Sequence, residues 1–356
     1  MLYPNLIKEK LDGVRYPGNG KSLNENEMIE DIRIDGNKVS LSILFDKNND
    51  PFAASTVRSA EATLRRELGA DVDVKITAKF KETKPAVQEK PLKNVKYKIG
   101  ISSGKGGVGK STVSANLAVS LASQGFRVGL LDADVFGPSV PKMFGVEDEG
   151  LYMVNQEGRD WIEPIVKYGV KLLSIGFVVD KEKAVVWRGT MASNALRQLI
   201  TDAWWGDLDF FLIDLPPGTS DIHLTTVQTL DLDGAVIVTT PQEVALADAR
   251  KGIEMFRNEK INVPVLGIVE NMSWFTPLPH PNERYYIFGN GGGVRLAEEL
   301  KVPLLAQIPL VAEICEKADS GSPVSLALAA QASDSAVENP LAEAFKNLSI
   351  NMLSSL

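Results

Sequence analysis

Short apolar runs alternate with amphipathic segments along most of the chain downstream of residue 96. Seven of these runs are apolar at nearly every position and are predicted to be strands: Tyr97–Ile101, Val128–Leu131, Val170–Ile175, Phe210–Ile213, Ala235–Val238, Val265–Val269 and Leu304–Ile308. Strands of this kind are buried on both faces, as in a parallel sheet covered by helices. The pattern therefore predicts an α/β fold with a mainly parallel sheet and helices on both faces.

The pattern of residues 1–80 is different and predicts a small α+β domain. Positions 39–45 alternate between apolar and mostly polar residues, which is typical of a half-buried strand. Asp35-Gly36 joins this strand to a preceding run at 29–34 and is a hairpin signal. A helix is predicted at 53–68, and a further strand at 72–76.

Residues 81–95 have the composition of a linker. They are rich in charge, contain two prolines and show no apolar period. We therefore expect the chain to divide into a domain at 1–80, a linker at 81–95 and a second domain at 96–356.

Charge and composition exclude several classes of function. The chain has 356 residues and a net charge of -8, which argues against a nucleic-acid partner held through phosphate contacts. It contains no apolar stretch of about 18 residues and no N-terminal signal pattern, so we expect a cytoplasmic protein without a membrane partner. Its single cysteine, Cys315, excludes an intrachain disulfide and fits a reducing compartment.

The segment 104–112 (GKGGVGKST) lies between the first predicted strand of the larger domain and a predicted helix. It fits the phosphate-binding pattern G-x-x-x-x-G-K-[ST], whose glycines let backbone N–H groups turn towards a phosphate. In such a loop the lysine reaches the β- and γ-phosphates and the following hydroxyl ligates Mg²⁺. The predicted nucleotide-binding residues are Gly104, Lys105, Gly106, Gly107, Val108, Gly109, Lys110, Ser111 and Thr112.

Carboxylates follow two other predicted strands, at the edge of the sheet where the phosphate loop should lie. Asp132 and Asp134 follow one strand and could serve a metal ion and a water, although a solvated turn is the simpler interpretation of the segment alone. We assign Asp132 to the outer shell of Mg²⁺ and Asp134 to the attacking water, with the reverse assignment left open. Asp214 ends the other strand and is predicted to hold Mg²⁺ through water, and the N–H of Gly218 is a candidate sensor of the γ-phosphate.

A second lysine, Lys105, follows the first glycine of the loop. It is poorly placed for the phosphates of its own nucleotide and better placed for a nucleotide held by a second subunit, although it could also be a solvated surface lysine. The loop sequence resembles that of the deviant Walker A ATPases, which share G-K-G-G-x-G-K-[ST]. This resemblance implies an ATP-sandwich homodimer in which Lys105 acts in trans. Together with Lys110 and Asp134, Lys105 is a predicted catalytic residue. It also implies that Asn271 reads the adenine beside Pro309, whereas the sequence alone would also allow Asn271 to cap a helix.

Further segments narrow the resemblance to the Mrp-type iron-sulfur cluster carrier ATPases. They are DADVFGPS (132–139), LSIGF (173–177), VWRGTM (186–191), DLPPGTSD (214–221), VENMSWF (269–275), IFGNGGG (287–293) and the run from IPL to EICEKADSGSP (308–323). The similarity covers residues 93–345, and the N-terminal domain resembles a small iron-sulfur-assembly domain. The resemblance implies an ATP-hydrolysing carrier that uses ATP and Mg²⁺ and delivers clusters to apoproteins or works with an assembly scaffold.

One departure from this family concerns the cluster ligands. These carriers usually have a C-x-x-C pair shortly after the N-M-S segment, whereas residues 276–281 here (TPLPHP) contain no cysteine. Cys315 could ligate a cluster, but we expect it to be a small apolar core residue. His280 is expected to be solvated. His223 could sense the γ-phosphate, but it is expected on a helix surface.

Two other functions remain open from the sequence. A MinD- or ParA-like regulatory switch without cluster binding would use the same loop, but the C-terminal segment is not basic, as a membrane-binding helix would be. A synthetase of the same fold would need a second constellation of acids or bases, and the sequence shows none.

Overall fold

The computed structural model divides the chain into two units, Met1–Glu89 and Lys90–Leu356. The structure describes residues 2–17, 20–45, 52–69, 71–81, 92–135, 137–156, 158–178, 189–218, 223, 226–227, 229–277, 279–280, 282–330 and 340–356. The predicted linker therefore falls largely outside the described residues.

In its described residues, the N-terminal unit is a three-stranded sheet packed against two helices. Its elements are α1 (Pro4–Leu11), β1 (Ile29–Asp35), β2 (Lys38–Phe45), α2 (Ala53–Leu68) and β3 (Asp73–Phe80). β2 lies in the middle, antiparallel to β1 and parallel to β3. The alternation predicted for β2 is confirmed, because Val39, Leu41, Ile43 and Phe45 are all buried. The sequence pattern did not predict α1.

The larger unit is built on an eight-stranded sheet in the order β13-β12-β11-β4-β10-β5-β9-β8. Its strands are β4 (Val95–Ser103), β5 (Val128–Asp132), β8 (Ile165–Lys167), β9 (Val170–Ser174), β10 (Leu208–Asp214), β11 (Gly234–Thr239), β12 (Val265–Phe275) and β13 (Leu304–Leu310). All neighbours pair in parallel except β8 with β9, so the seven predicted strands are confirmed. The antiparallel edge strand β8 and a separate hairpin, β6 (Tyr152–Gln156) and β7 (Arg159–Glu163), were not predicted.

Helices cover both faces of this sheet. They are α3 (Lys110–Ser123), α4 (Val140–Phe144), α5 (Gly189–Thr201), α6 (Glu243–Arg257), α7 (Gly292–Leu300), α8 (Ala312–Asp319), α9 (Leu326–Ala330) and α10 (Pro340–Leu353), with a short 3-10 helix at Ile175–Phe177. Alternate residues of β10 enter different cores: Phe210 and Leu212 pack with α3 and α10, whereas Phe211 and Ile213 pack with α5, α6 and α7. The predicted α/β class is confirmed.

The outer strand β13 of the sheet packs against a helix. Helix α10 packs against it, and the Asn351 side-chain amide donates a hydrogen bond of 2.8 Å to the carbonyl of Leu305. No helix within the described ranges is both long and apolar enough to cross a bilayer.

Candidate nucleotide and carrier sites

The phosphate loop connects β4 to α3 at the carboxyl edge of the sheet. Gly107 and Gly109 both have φ of +81°, a left-handed conformation that side chains other than glycine rarely adopt. Gly104 is needed for a different reason, since a Cβ there would lie 2.2 Å from the backbone of Asp248 in α6. Gly109 directly precedes α3, so the loop leads into the N-terminus of a 14-residue helix, where backbone N–H groups favour an anion.

Asp214, at the end of β10, is fully buried and collects three donors from the start of α3. Ser111 Oγ donates to Oδ2 at 2.6 Å, and Ser114 Oγ donates to Oδ1 at 2.6 Å. The Lys110 ammonium lies 2.8 Å from the same Oδ1 and 3.7 Å from Asp134. The structure therefore brings Lys110 and Ser111, the first residues of α3, together with Asp134 and Asp214 at the carboxyl edge of the sheet.

Asp132 lies beside Asp214, because the two residues are register partners on neighbouring strands. Its carboxylate is fully buried and accepts hydrogen bonds from Asp134 N (3.1 Å), Val140 N (3.2 Å) and Ser174 Oγ (3.0 Å). Burial, followed by the charge of Asp214, raises the pKa of Asp132 to about 7. Asp132 thus anchors the backbone of Asp134 and Val140, and Asp134, which is 8% exposed, is the better candidate to meet a nucleotide. Both assigned roles stay predictions.

The donor set at this edge fits Mg²⁺. The hydroxyl of Ser111 and the carboxylate of Asp214 are oxygen donors held 2.6 Å apart, and Mg²⁺ in nucleotide sites uses few protein ligands together with phosphate oxygens and water. Among the described residues, no group of three or more His, Cys, Asp or Glu side chains could hold a metal ion by itself. The remaining ligands would therefore come from the nucleotide and solvent.

Ser103, at the end of β4, fixes two of the predicted functional positions through its hydrogen bonds. Its hydroxyl donates to the carbonyl of Lys105 at 3.0 Å, and its carbonyl accepts the N–H of Gly218 at 2.8 Å. A γ-phosphate could use the Gly218 N–H only after this second bond opens. The half-buried Lys105 side chain makes no ion pair with any residue that the structure describes.

Asn271 contacts the phosphate loop directly. It lies inside β12, 6% exposed, and its side-chain amide donates a 2.9 Å hydrogen bond to the carbonyl of Val108. The alternative that Asn271 caps a helix is therefore wrong. A bulge follows, since three residues between Asn271 and Phe275 stand opposite one residue of β13, and Met272 takes a φ of +57°. Pro309 lies on that neighbouring strand, and the adenine roles of Asn271 and Pro309 remain predictions.

Cys315 is exposed on α8, and the prediction that it belongs to the core is wrong. The reason is that α8 buries none of its residues, so no side chain of this helix belongs to the core. The Cys315 sulfur lies 3.7 Å from Asp319 Oδ2. The thiol is therefore accessible to solvent.

Phe275 and Tyr285 flank the segment that lacks the C-x-x-C pair expected from the resemblance. Phe275 and Tyr285 exchange two backbone hydrogen bonds of 2.8 Å each. Arg284 stacks over Trp274 at 4.3 Å, and His280 lies 3.4 Å from Glu283. His280 is exposed, as expected, and the side chains of Tyr285 and Tyr286 are also largely exposed.

Two further residues near the site were misjudged or overlooked in the sequence. His223 is fully buried, with its Nε2 3.3 Å from Ser102 Oγ, so the expected place on a helix surface is wrong. Ser114 was overlooked although a signal existed: residues three apart share a helix face, so Ser114 had to lie beside Ser111.

Comparison with known proteins identifies the family to which this chain belongs. A family model described as a NUBPL iron-transfer P-loop NTPase matches residues 94–348, and a model of an iron-sulfur cluster assembly protein matches residues 6–78. The chain belongs to the NUBPL iron-transfer P-loop NTPase family. The Mrp-type resemblance inferred from the sequence is thereby confirmed.

Relatives in this family carry a consistent name. Proteins named iron-sulfur cluster carrier protein are 42% identical in Synechocystis sp., over 91% of this chain and 92% of the relative, and 48% identical in Pseudomonas fragi, over 71% and 87%. Among solved structures, a nucleotide-binding protein from Archaeoglobus fulgidus in complex with ADP is 40% identical, with a TM-score of 0.57 over 65% of this chain and 88% of that one. These likenesses support a nucleotide-binding P-loop NTPase of the carrier family.

Proposed function

We propose that this protein is a Mg²⁺-dependent ATPase that carries or assembles iron-sulfur clusters in the cytoplasm and delivers them to apoproteins. The observation that carries the proposal is the cluster of Lys110, Ser111, Asp134 and Asp214 at one sheet edge, in a family of iron-transfer NTPases. A MinD- or ParA-like switch is not favoured, because the relatives with 42–48% identity are named as carriers.

The nucleotide half of the proposal assigns a task to each residue. Lys110 leaves Asp214 to meet the β- and γ-phosphates, Asp134 orients the attacking water, and Asp214 with Ser111 holds Mg²⁺, which neutralises phosphate charge when bound. Lys105 reaches the nucleotide of a second subunit, which would give its ammonium the partner that the described residues of its own chain do not provide. ATP binding then closes a homodimer, and hydrolysis opens it.

The cargo half of the proposal depends on Cys315. A cluster is usually held by four thiolates, whereas one cysteine per chain gives a homodimer only two. We infer that the two Cys315 thiolates bind the cluster together with thiolates from small-molecule thiols or from the client. Exposure of Cys315 supports this inference, because a transferable cluster needs ligands that solvent and partners can reach.

Anaerobic reconstitution with iron, sulfide and a small-molecule thiol tests cluster binding. We expect visible charge-transfer absorption and bound iron in the wild type, and their loss in Cys315→Ser. His280→Ala is the matched control, since His280 is also exposed but has no assigned ligand role. Reconstitution that gives no chromophore in the wild type, with or without the added thiol, would contradict cluster carriage while leaving the ATPase proposal to its own tests.

A further inference from the structure

Ser114 is a buried hydroxyl that no predicted role uses, yet it makes one of the shortest contacts at the site. Its Oγ donates to Asp214 Oδ1 at 2.6 Å, and the side chain is fully buried. The other two donors to this carboxylate are Lys110, also on Oδ1, and Ser111, on Oδ2. Oδ1 therefore has two donors, and one of them is the lysine that phosphate binding needs.

Nucleotide binding changes the surroundings of Oδ1. Lys110 must turn from Asp214 towards phosphate oxygens, because its ammonium now lies 2.8 Å from the carboxylate and is only 6% exposed. A buried carboxylate oxygen left without a donor raises the free energy of the complex by about 1–3 kcal/mol. Ser114 cannot leave in the same way, since it is fixed on α3 one turn beyond Ser111.

The hydroxyl of Ser114 has a second acceptor within reach. The carbonyl of Lys110 lies 3.1 Å from Ser114 Oγ, and a serine in a helix often donates to the carbonyl four residues earlier. A hydroxyl carries one proton, so it can serve only one of the two acceptors fully. The shorter distance to Asp214 shows which acceptor is preferred while Lys110 is also bound there.

We propose that Ser114 is a positioning residue that keeps Asp214 Oδ1 hydrogen-bonded when Lys110 moves to the phosphates of a nucleoside di- or triphosphate. The inference rests on the proposed nucleotide site. Ser114 lowers the free energy needed to separate Lys110 from Asp214, and it holds the carboxylate in the orientation that keeps Oδ2 on Ser111.

The test measures ADP affinity by calorimetry, with and without Mg²⁺, in the full chain. Ser114→Ala removes the donor without adding bulk, Ser114→Thr keeps the hydroxyl, and Ser120→Ala is the matched control on the same helix. Ser120 is also fully buried, but its hydroxyl faces Ser349 and Gln124. We expect Ser114→Ala to weaken ADP binding at least about tenfold in both conditions, as for a lost bond to a charged group, Ser114→Thr to restore most of the affinity, and Ser120→Ala to leave it unchanged.

Thermal unfolding without nucleotide separates positioning from packing. Lys110 still pairs with Asp214 in empty Ser114→Ala, so its melting temperature should fall no further than that of Ser120→Ala. A large loss of stability with unchanged ADP affinity would assign Ser114 to packing and overturn the proposal. If Ser114→Thr does not fold, Ser114→Cys, which keeps a weak donor of similar size, should bind ADP more tightly than Ser114→Ala.

The proposed nucleotide site and the role of Ser114 can fail separately. A wild-type protein that binds no ADP would contradict both. Wild-type binding with equal affinity in Ser114→Ala would contradict only the role of Ser114.

Discussion

The nucleotide edge of the sheet and the proposed cluster ligand Cys315 differ in how many of the groups that each function needs come from one chain. At the nucleotide edge, Lys110, Asp132 and Asp214 are all buried. Lys110 pairs with Asp214, and Asp132 accepts hydrogen bonds from Asp134, Val140 and Ser174. Cys315, the proposed cluster ligand, is exposed on a helix without buried residues, and the sequence of 276–284 contains no cysteine. The candidate nucleotide site is therefore preorganised within the chain, whereas the proposed cluster binding needs groups from outside it.

This difference has a physical basis. Groups that bind phosphate and metal gain most from a fixed, partly dry environment, because electrostatic interactions strengthen as water is excluded. Ligands that must hand over a cluster gain from exposure, because the client has to reach the metal. Each half can be tested on its own, beginning with the largest expected effect.

The largest expected effect is on ATP hydrolysis, when substitutions remove the groups that the proposed site takes from each of two subunits. Lys105→Ala should lower ATP hydrolysis about 10³-fold while leaving ATP binding intact, as for removal of a finger residue that acts in trans. Asp134→Asn should also abolish most hydrolysis, since it removes the carboxylate proposed to orient the attacking water. An equimolar mixture should regain about a quarter of the wild-type rate, because half of the dimers are mixed and each mixed dimer has one intact site.

Steady-state hydrolysis by the mixture measures this complementation. Lys105→Ala mixed with Lys142→Ala is a control, because Lys142 is an exposed lysine that pairs with Glu147 and has no assigned role at the nucleotide. A mixture no more active than its components would contradict a role for Lys105 in trans.

The second prediction concerns how tightly the phosphate loop is preorganised. Gly107 and Gly109 share a φ of +81°, but a Cβ at Gly107 meets nothing within 4 Å, whereas a Cβ at Gly109 would lie 2.2 Å from the amide nitrogen of Asn271. Gly107→Ala should lower the free energy of unfolding by about 1–2 kcal/mol through backbone strain. Gly109→Ala should lower it by about 1–2 kcal/mol more, because the bond from Asn271 to Val108 must also break.

Denaturant unfolding of the empty protein measures both losses. The added loss should be smaller when Gly109→Ala is combined with Asn271→Ala, since the clash is then gone. Equal losses at the two glycines would show that Asn271 does not hold the loop.

The third prediction is a pH dependence that arises from Asp132. Its pKa is about 7 in the folded protein, above the ordinary value of 3.8. Between those values the folded state keeps a proton that the unfolded chain has released, so stability from this group is full below about pH 4 and is lost as the pH rises through 7. The stability of the wild type relative to Asp132→Asn should therefore fall between pH 5 and about 7 and level off above that.

Thermal unfolding measured across this pH range shows whether the stability difference falls or rises with pH. Asp209→Asn is the control, because its hydrogen bonds to Arg127 lower the pKa of Asp209 to about 2, and its effect should change only at more acidic pH. A difference between wild type and Asp132→Asn that rises with pH would contradict the assignment.

The smallest effect on stability and hydrolysis is expected for a substitution at Cys315. Cys315→Ala should change the free energy of unfolding by no more than about 0.5 kcal/mol and leave ATP hydrolysis unchanged, because the side chain is exposed. The native thiol should react with a thiol reagent almost as fast as in urea. A protected thiol in the native protein would instead place Cys315 at an interface.

The strands of the larger unit could be predicted from sequence because short, continuous apolar runs are typical of strands buried on both faces. The site residues followed from topology, since parallel strands such as β5 and β10 bring their carboxyl ends, and hence Asp132 and Asp214, to one edge. The hairpin of β6 and β7 was missed because its residues are mostly exposed and lack a clear apolar alternation.

Side chains whose environment depends on distant elements were harder to predict. Cysteine is usually buried, but nothing local to Cys315 shows that α8 packs loosely on its neighbours. The burial of His223 likewise depends on Ser102, 121 residues earlier in the chain. Sequence spacing predicts which residues share an element, and it does not predict what packs over that element.

The packing of α10 against β13 has a consequence for the solubility of the protein. An outer strand presents a row of backbone donors and acceptors that the same strand of another molecule could pair with. Asn351 already donates to the Leu305 carbonyl of β13, and α10 packs against that strand. Shortening the chain at Pro340 would remove both contacts, and the protein would then tend to form insoluble assemblies in which β13 pairs with the same strand of another molecule, even though its nucleotide residues were all still present.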